Sequence, residues 1–410
     1  MALKDSALET APAERASFFF GAYFFWHWAE GFQTVLFSWY VVTHVVLAPP
    51  QVGFFQSLTL MPYLAFIPFG GWVANRFGPK LVYLVASVLF AATMFLYGST
   101  DIYLGFSGAL FGLYCIAVGV FSALANPAID AFIPESGKGT TERNTLDAAT
   151  VHNVAKLSGT VTTAFVLGVS GAWTGFILNG ILILLAALFF GVFAQQLTQV
   201  RRRSATVTPP PSPQGFRDAI RYVRSDPMAF DIILSSTLLG LFMAPVGFVL
   251  WPLLVRENFA ASQDSIGLVY TMFWIGSIVS TRYVARIIDG LNRRVAVAFG
   301  LWASAMVVAL AVYALPNFVA LCAGVFLYGV VLSPAKAIVF GLYLRRIPVA
   351  QRALLISFDK AAFWGMATFG TFLFGTLIGV FGVFFALAVN ATVFIGGLVF
   401  LALRGNIRSR

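Results

Sequence analysis

Long apolar runs recur along this sequence, separated only by short polar interruptions. They fall at about 18–47, 51–74, 80–98, 102–130, 144–169, 173–197, 229–255, 264–285, 294–315, 317–344, 353–378 and 380–403. A helix needs about 20 mostly apolar residues to cross a bilayer, and inside lipid each backbone N–H and C=O must be satisfied within the protein. The pattern predicts an all-α membrane protein with twelve transmembrane helices. Composition agrees. Charged residues make up 10% of the chain and mean hydropathy is +0.86, whereas a soluble domain carries about 25% charged residues.

Charge placement sets the expected orientation. With the N-terminus in the cytoplasm, 21 of the 26 Lys and Arg residues fall in cytoplasmic segments, and Arg256 alone falls on the opposite side. This is the positive-inside asymmetry, and a wrong span count would scramble it. The expectation is a multi-pass protein of the cell's inner (plasma) membrane with both termini cytoplasmic. Topology therefore accounts for the net charge of +10, and no nucleic-acid partner is expected. The first apolar run is too long for the core of a cleavable signal peptide and lacks a small-residue cleavage site.

Enzyme and metal chemistry find little support. Cys115 and Cys322 sit inside apolar runs and suggest no disulfide framework. Three histidines without ligand spacing predict no metal site, and no cofactor is expected. Around Lys138, Gly139 stands where a phosphate loop needs Ser or Thr, and Phe132 replaces its first Gly. No nucleophile elbow is present, so a non-enzyme is expected.

The longest polar stretch lies mid-chain and divides the sequence into residues 1–197, a linker at 198–228, and residues 229–410. The linker holds Arg201-Arg202-Arg203 and a proline run at 209–213, which reads as a semi-rigid spacer. Beyond it, Phe216, Ala219, Ile220 and Val223 fall at helical spacing opposite Arg217, Arg221 and Arg224. That predicts a basic amphipathic helix on the cytoplasmic leaflet. Gly53 and Pro62 match Gly267 and Gly276 at an offset of 214, and Asn126-Pro127-Ala128 matches Ser333-Pro334-Ala335 at 207. These matches suggest two pseudo-symmetric six-helix halves related by an axis along the membrane normal.

The segment Gly71-Trp72-Val73-Ala74-Asn75-Arg76-Phe77-Gly78-Pro79-Lys80 resembles the signature loop of the major facilitator superfamily, Gly-x-x-x-Asp-Arg-x-Gly-Arg-Arg/Lys. In this loop Gly71, Asn75, Arg76, Gly78 and Lys80 hold the matching positions. Asn75 replaces the Asp thought to latch the two halves, leaving only a neutral hydrogen bond to a helix dipole. Residues 126–135 with Arg143, Asn144, Asn153 and Gly159, together with 215–227, resemble the enterobactin-exporter and macrolide-efflux branch. The resemblance implies a monomeric transporter in which spans 1, 4, 7 and 10 line a central cavity. It also implies proton-driven export of an amphipathic small molecule or siderophore.

Charges inside spans are the candidate mechanism residues, because each costs at least about 2.5–3.5 kcal/mol at a helix centre. Glu30 lies mid-way along span 1, with His27 one turn away on the same face, and this pair is the expected site of proton coupling and substrate binding. Asp130 and Lys336, near the cytoplasmic ends of spans 4 and 10, are expected to pair across the halves as a gate. Lys156 in span 5 and Asp359 in span 11 are further gate or cavity charges. Ala155, Gly159 and Thr163 recur every four residues as a packing stripe, expected in this fold to face span 8. The expected partners are a small-molecule substrate, protons and the lipid bilayer. Competing readings are a uniporter or importer of a metabolite or lipid-like solute, and a non-transporting receptor or scaffold.

Overall fold

The computed structural model describes residues 2–133, 136, 141–203, 216–259, 265–289, 294–314, 317–347 and 352–407. Four helices open the chain: α1 (Ala2–Trp39), α2 (Pro49–Phe77), α3 (Pro79–Leu104) and α4 (Gly108–Asp130). The run Thr141–Arg203 breaks at Gly171, whose φ of 75° lies in the left-handed region that favours glycine. It therefore forms two helices, α5 (141–170) and α6 (172–203). A short helix α7 (Phe216–Ser225) follows. The rest is α8 (Pro227–Glu257), α9 (Ser265–Asp289), α10 (Arg294–Tyr313), α11 (Phe318–Arg346), α12 (Arg352–Phe381) and α13 (Val383–Arg404). The described residues contain no strand. Leaving out α7, these are the twelve membrane helices that the apolar runs predict.

Helices α1 and α8 both depart from α geometry. A π-helical turn at Tyr40–His44 ends α1, and α8 carries π turns at Leu239–Met243 and Val246–Leu250 on either side of Pro245. Such turns recur where a helix is adapted for function. Past the first of them, Val46 adopts φ 59°, a costly conformation for a β-branched residue.

The helices pack as two compact units, and the division does not follow chain order. One unit takes Met1–Leu36 with Phe69–Pro211, and the other takes Phe37–Pro68 with Ser212–Arg410. Small residues explain why 37–68 sides with the C-terminal helices. A Cβ at Gly53 would lie 2.5 Å from the Thr371 carbonyl oxygen, and one at Gly375 would lie 2.7 Å from that of Pro49. The α2 and α12 backbones are thus in direct contact. Arg256 donates to the Leu47 carbonyl at 2.7 Å, and the hydroxyls of Ser38 and Tyr270 bond at 3.0 Å. Arg256, the one basic residue assigned to the far side of the membrane, fastens the α1–α2 connection onto α8.

At the opposite end, α7 is tied down by a polar cluster. Arg217, Arg221 and Arg224 are exposed, while Ile220 and Val223 are half-buried, as the amphipathic pattern predicts. Asp226 caps α8 by accepting from the Met228 and Ala229 N–H groups at 3.0 and 3.2 Å. Arg346, at the end of α11, donates to the same carboxylate at 2.7 Å, and the Tyr222 hydroxyl donates to the Arg346 carbonyl at 3.1 Å. Burial alone would push the Asp226 carboxyl up. The Arg346 bond and the two backbone donors outweigh it and hold the carboxyl below its ordinary value. Burial and the Asp226 charge push the Tyr222 hydroxyl up. The proline run of the linker lies outside the described residues.

Candidate functional site

Glu30 is the hub of a polar cluster inside the first unit. Its Oε2 lies 2.9 Å from the Lys156 ammonium and 2.8 Å from His27 Nδ1. Its Oε1 accepts from Asn126 Nδ2 at 2.8 Å, and the Asn126 oxygen accepts from Trp26 Nε1 at 2.8 Å. Three helices converge here: α1 supplies Trp26, His27 and Glu30, α4 supplies Asn126, and α5 supplies Lys156. The network assigns the proton to His27 Nδ1, while its buried Nε2 meets no hydrogen-bonding partner. The His152 ring, one turn before Lys156, packs edge-on against His27 at 4.2 Å. A carboxylate and an ammonium held this way need no net charge in the membrane, which reduces the cost of placing either there.

Missing side chains let the pair form. A Cβ at Gly31 would lie 2.5 Å from the Lys156 carbonyl oxygen, and one at Gly159 would lie 2.4 Å from that of Trp28. With glycine at both positions, α1 and α5 cross backbone to backbone, and the Thr163 hydroxyl reaches the Phe32 carbonyl at 3.2 Å. The small-residue stripe expected to face span 8 instead packs on α1, because Gly31 supplies the matching gap there.

One turn further along α1 is a second buried polar chain, which the charge pattern of the sequence does not announce. Gln33 donates to the Tyr114 hydroxyl, and Asn179 donates to Gln33 Oε1 at 2.8 Å. The signal that could find it is Gln33 following Glu30 at helical spacing. His152, four residues before Lys156 on α5, is legible in the same way. Asn126 is visible only as part of a repeat motif.

Asp130 accepts from the Tyr23 hydroxyl at 3.1 Å, in the first unit. Lys336 and Asp359 belong to the second unit. Asp359 is buried and accepts from Ser236 of α8. The Lys336 ammonium lies 4.2 Å above the Phe363 ring, and no ion pair joins it to a described carboxylate of its own unit. Within the signature loop, Gly78 takes φ 85° between α2 and α3, and Lys80 sits in the first turn of α3. Gly71, Asn75 and Arg76 lie on the α2 backbone, and the Asn75 and Arg76 side chains fall outside the described part of the structure.

A cluster of this kind among membrane helices suits a transporter, and comparison with known sequences decides the family. The profile of the Major Facilitator Superfamily matches residues 19–251, more than half of the chain. The chain belongs to the Major Facilitator Superfamily. A curated relative, the probable sulfoacetate transporter SauU of Cupriavidus necator, is 29% identical over 132 residues. The match spans 31% of this facilitator and only 28% of that protein. Among solved structures, the nucleoside transporter NupG superposes with a TM-score of 0.71 at 13% identity, covering 98% of this chain and 100% of that one. A D-xylose-proton symporter gives 0.69 at 17% identity, covering 94% and 95%. An auto-inhibited peptide transporter of the POT family gives 0.73 at 12%, covering 97% and 98%. At such identities the likeness establishes the fold. Membership of this family makes the chain a multi-pass membrane transporter.

Proposed function

We propose that this facilitator couples transport of an amphipathic small molecule to protons through Glu30, and that it works as an exporter. One observation carries the coupling: the Glu30–Lys156 pair, joined by His27 and Asn126 where α1, α4 and α5 meet. Ionised Glu30 holds Lys156 and so holds α5 to α1. A proton on Glu30 cancels the attraction and strands the ammonium. Losing one partner of such a buried pair costs about 3–5 kcal/mol. A bias of about 5.5 kcal/mol takes a two-state equilibrium from one extreme to the other, so one proton supplies most of what a switch between conformations requires. His27 offers a path for that proton through Nδ1. Export rests on the resemblance to the enterobactin-exporter and macrolide-efflux branch. The stretch shared with the probable sulfoacetate transporter adds organic acids to the solutes to be screened.

The test is proton movement by purified protein in weakly buffered detergent when candidate solutes are added, with Glu30→Gln beside the parent. Protons released by the parent and not by the variant support exchange through Glu30. Proton uptake by the parent alone keeps the coupling and turns the direction toward cotransport. Solute binding of equal strength in both proteins, with no proton movement, makes Glu30 structural and favours a uniporter. Failure of a broad panel to bind at all brings the receptor or scaffold reading forward.

A further inference from the structure

A second membrane charge is arranged quite differently from Lys156. Lys336 projects from α11 two residues after Pro334, a proline inside the helix. Its side chain is exposed. The Asp359 carboxylate of α12 accepts its hydrogen bond from Ser236 and forms no ion pair with Lys336. The ammonium instead caps the Phe363 ring. That ring belongs to a cluster drawn from three helices of the same unit. Trp364 packs against Phe363 at 5.0 Å, Tyr63 of α2 at 5.5 Å, and Phe248 of α8 at 6.2 Å. All four rings are only partly buried. Phe248, Phe363 and Trp364 rest on a sealed floor of Leu60, Ala244 and Ala367.

A lysine in a membrane span without a partner carboxylate is costly unless something offsets its charge. One ring face offsets only part of it. The remaining donors of the ammonium are free to meet an anion. We propose that this cluster is a cargo subsite for an amphipathic aromatic anion: Lys336 takes a carboxylate or sulfonate, and the Tyr63, Phe248, Phe363 and Trp364 rings take the flat apolar body. This rests on the transport reading above and adds a substrate class to it. Binding at Lys336 does not require that Glu30 move the coupling proton. The aromatic surface supplies affinity for any flat cargo, and the ammonium supplies the discrimination between charge types.

The experiment uses the full chain in detergent and three probes that share a naphthalene ring: 2-naphthalenesulfonate, neutral 2-naphthalenemethanol and cationic 2-naphthylmethylammonium. Equilibrium binding is measured for the parent, Lys336→Gln and Lys336→Arg, with proton movement recorded in the same titrations. A hydrogen bond to a charged group contributes about 1.5–3 kcal/mol, and about 1.4 kcal/mol is tenfold in affinity. The sulfonate should therefore bind the parent at least about tenfold more tightly than the alcohol does, and the ammonium more weakly than either. Lys336→Gln should erase the sulfonate advantage while leaving the alcohol unchanged, and Lys336→Arg should keep it. The unchanged alcohol shows that the glutamine variant is folded. Equal binding of sulfonate and alcohol by the parent, absence of sulfonate binding, or parallel loss of both ligands in Lys336→Gln would each overturn the subsite. Sulfonate selectivity without proton movement leaves the subsite standing and sinks the coupling through Glu30. Proton movement without charge selectivity does the reverse.

Discussion

Gly159→Ala is the smallest change that should separate α5 from α1. The added methyl would stand 2.4 Å from the Trp28 carbonyl oxygen, 2.6 Å from the Phe32 nitrogen and 2.9 Å from the Gly31 carbonyl carbon. All three atoms are backbone, so no side chain can swing aside. Ordinary contact begins at about 3.4 Å, so the helices must part by about 1 Å, and overpacking of this kind costs about 1–3 kcal/mol. The same shift would stretch the Lys156–Glu30 pair from 2.9 Å toward the limit of an ion pair and the Thr163–Phe32 bond beyond 3.2 Å. Gly191→Ala is the control. A Cβ there meets nothing within 4 Å, and replacing a mid-helix glycine by alanine stabilises by about 0.5–1 kcal/mol. The assay is thermal unfolding of both variants in detergent, followed by proton movement on solute addition. Gly159→Ala should melt below the parent and show weakened coupling, while Gly191→Ala should melt at or above it. Equal melting of the two variants would refute the close crossing, and with it the account of why Glu30 and Lys156 meet.

Further outcomes follow from the same geometry. Asp226→Ala removes a helix cap that contributes about 0.5–2 kcal/mol, and should lower the melting temperature more than Asp226→Asn, which can still cap. Because the folded Asp226 carboxyl titrates below its unfolded value, of about 3.9, its contribution is complete above that pH and is lost as pH falls through the lower folded value. The parent's acid destabilisation below about pH 4 should shrink in Asp226→Asn, as melting curves across pH 3–6 would report. Gly375→Val places side-chain atoms against the Pro49 carbonyl and Gly53, and should loosen the packing of 37–68. A thiol-specific reagent should then label Ser38→Cys faster than in the Gly375 parent, and an unchanged rate would contradict the contact. Arg404→Ala should destabilise by about 1–3 kcal/mol in chemical unfolding. It leaves the fully buried Asp231, 2.9 Å from the Arg404 guanidinium, with Asn406 alone at 2.9 Å.

Part of the candidate site is legible in the amino-acid sequence. Glu30 and His27 stand three residues apart in an apolar run, and helical spacing alone requires them to share a face. Their contact at 2.8 Å needs no tertiary knowledge. Lys156 stands out as a charge in a membrane span and Asn126 only as part of a repeat motif, and nothing local says which carboxylate they face. That depends on α5 crossing α1 at Gly159 and Gly31. The rule that a small-residue stripe marks a helix contact identifies the stripe correctly and names the wrong partner. A stripe specifies a gap without specifying what fills it.

The sequence by itself determined the solvent and the number of spans, because these depend on local quantities: the length of apolar runs and the placement of basic residues. Helix limits are local too, and Gly171 and Gly78 mark turns through a backbone angle that other residues seldom adopt. Only the tertiary structure decided that residues 37–68 pack with the C-terminal helices. It alone joined Glu30 to Lys156 and set the Lys336 ammonium over the Phe363 ring. These outcomes turn on which helix surfaces can approach within backbone contact. That is a matter of complementary shape between segments far apart in the chain, and no periodicity within one segment encodes it.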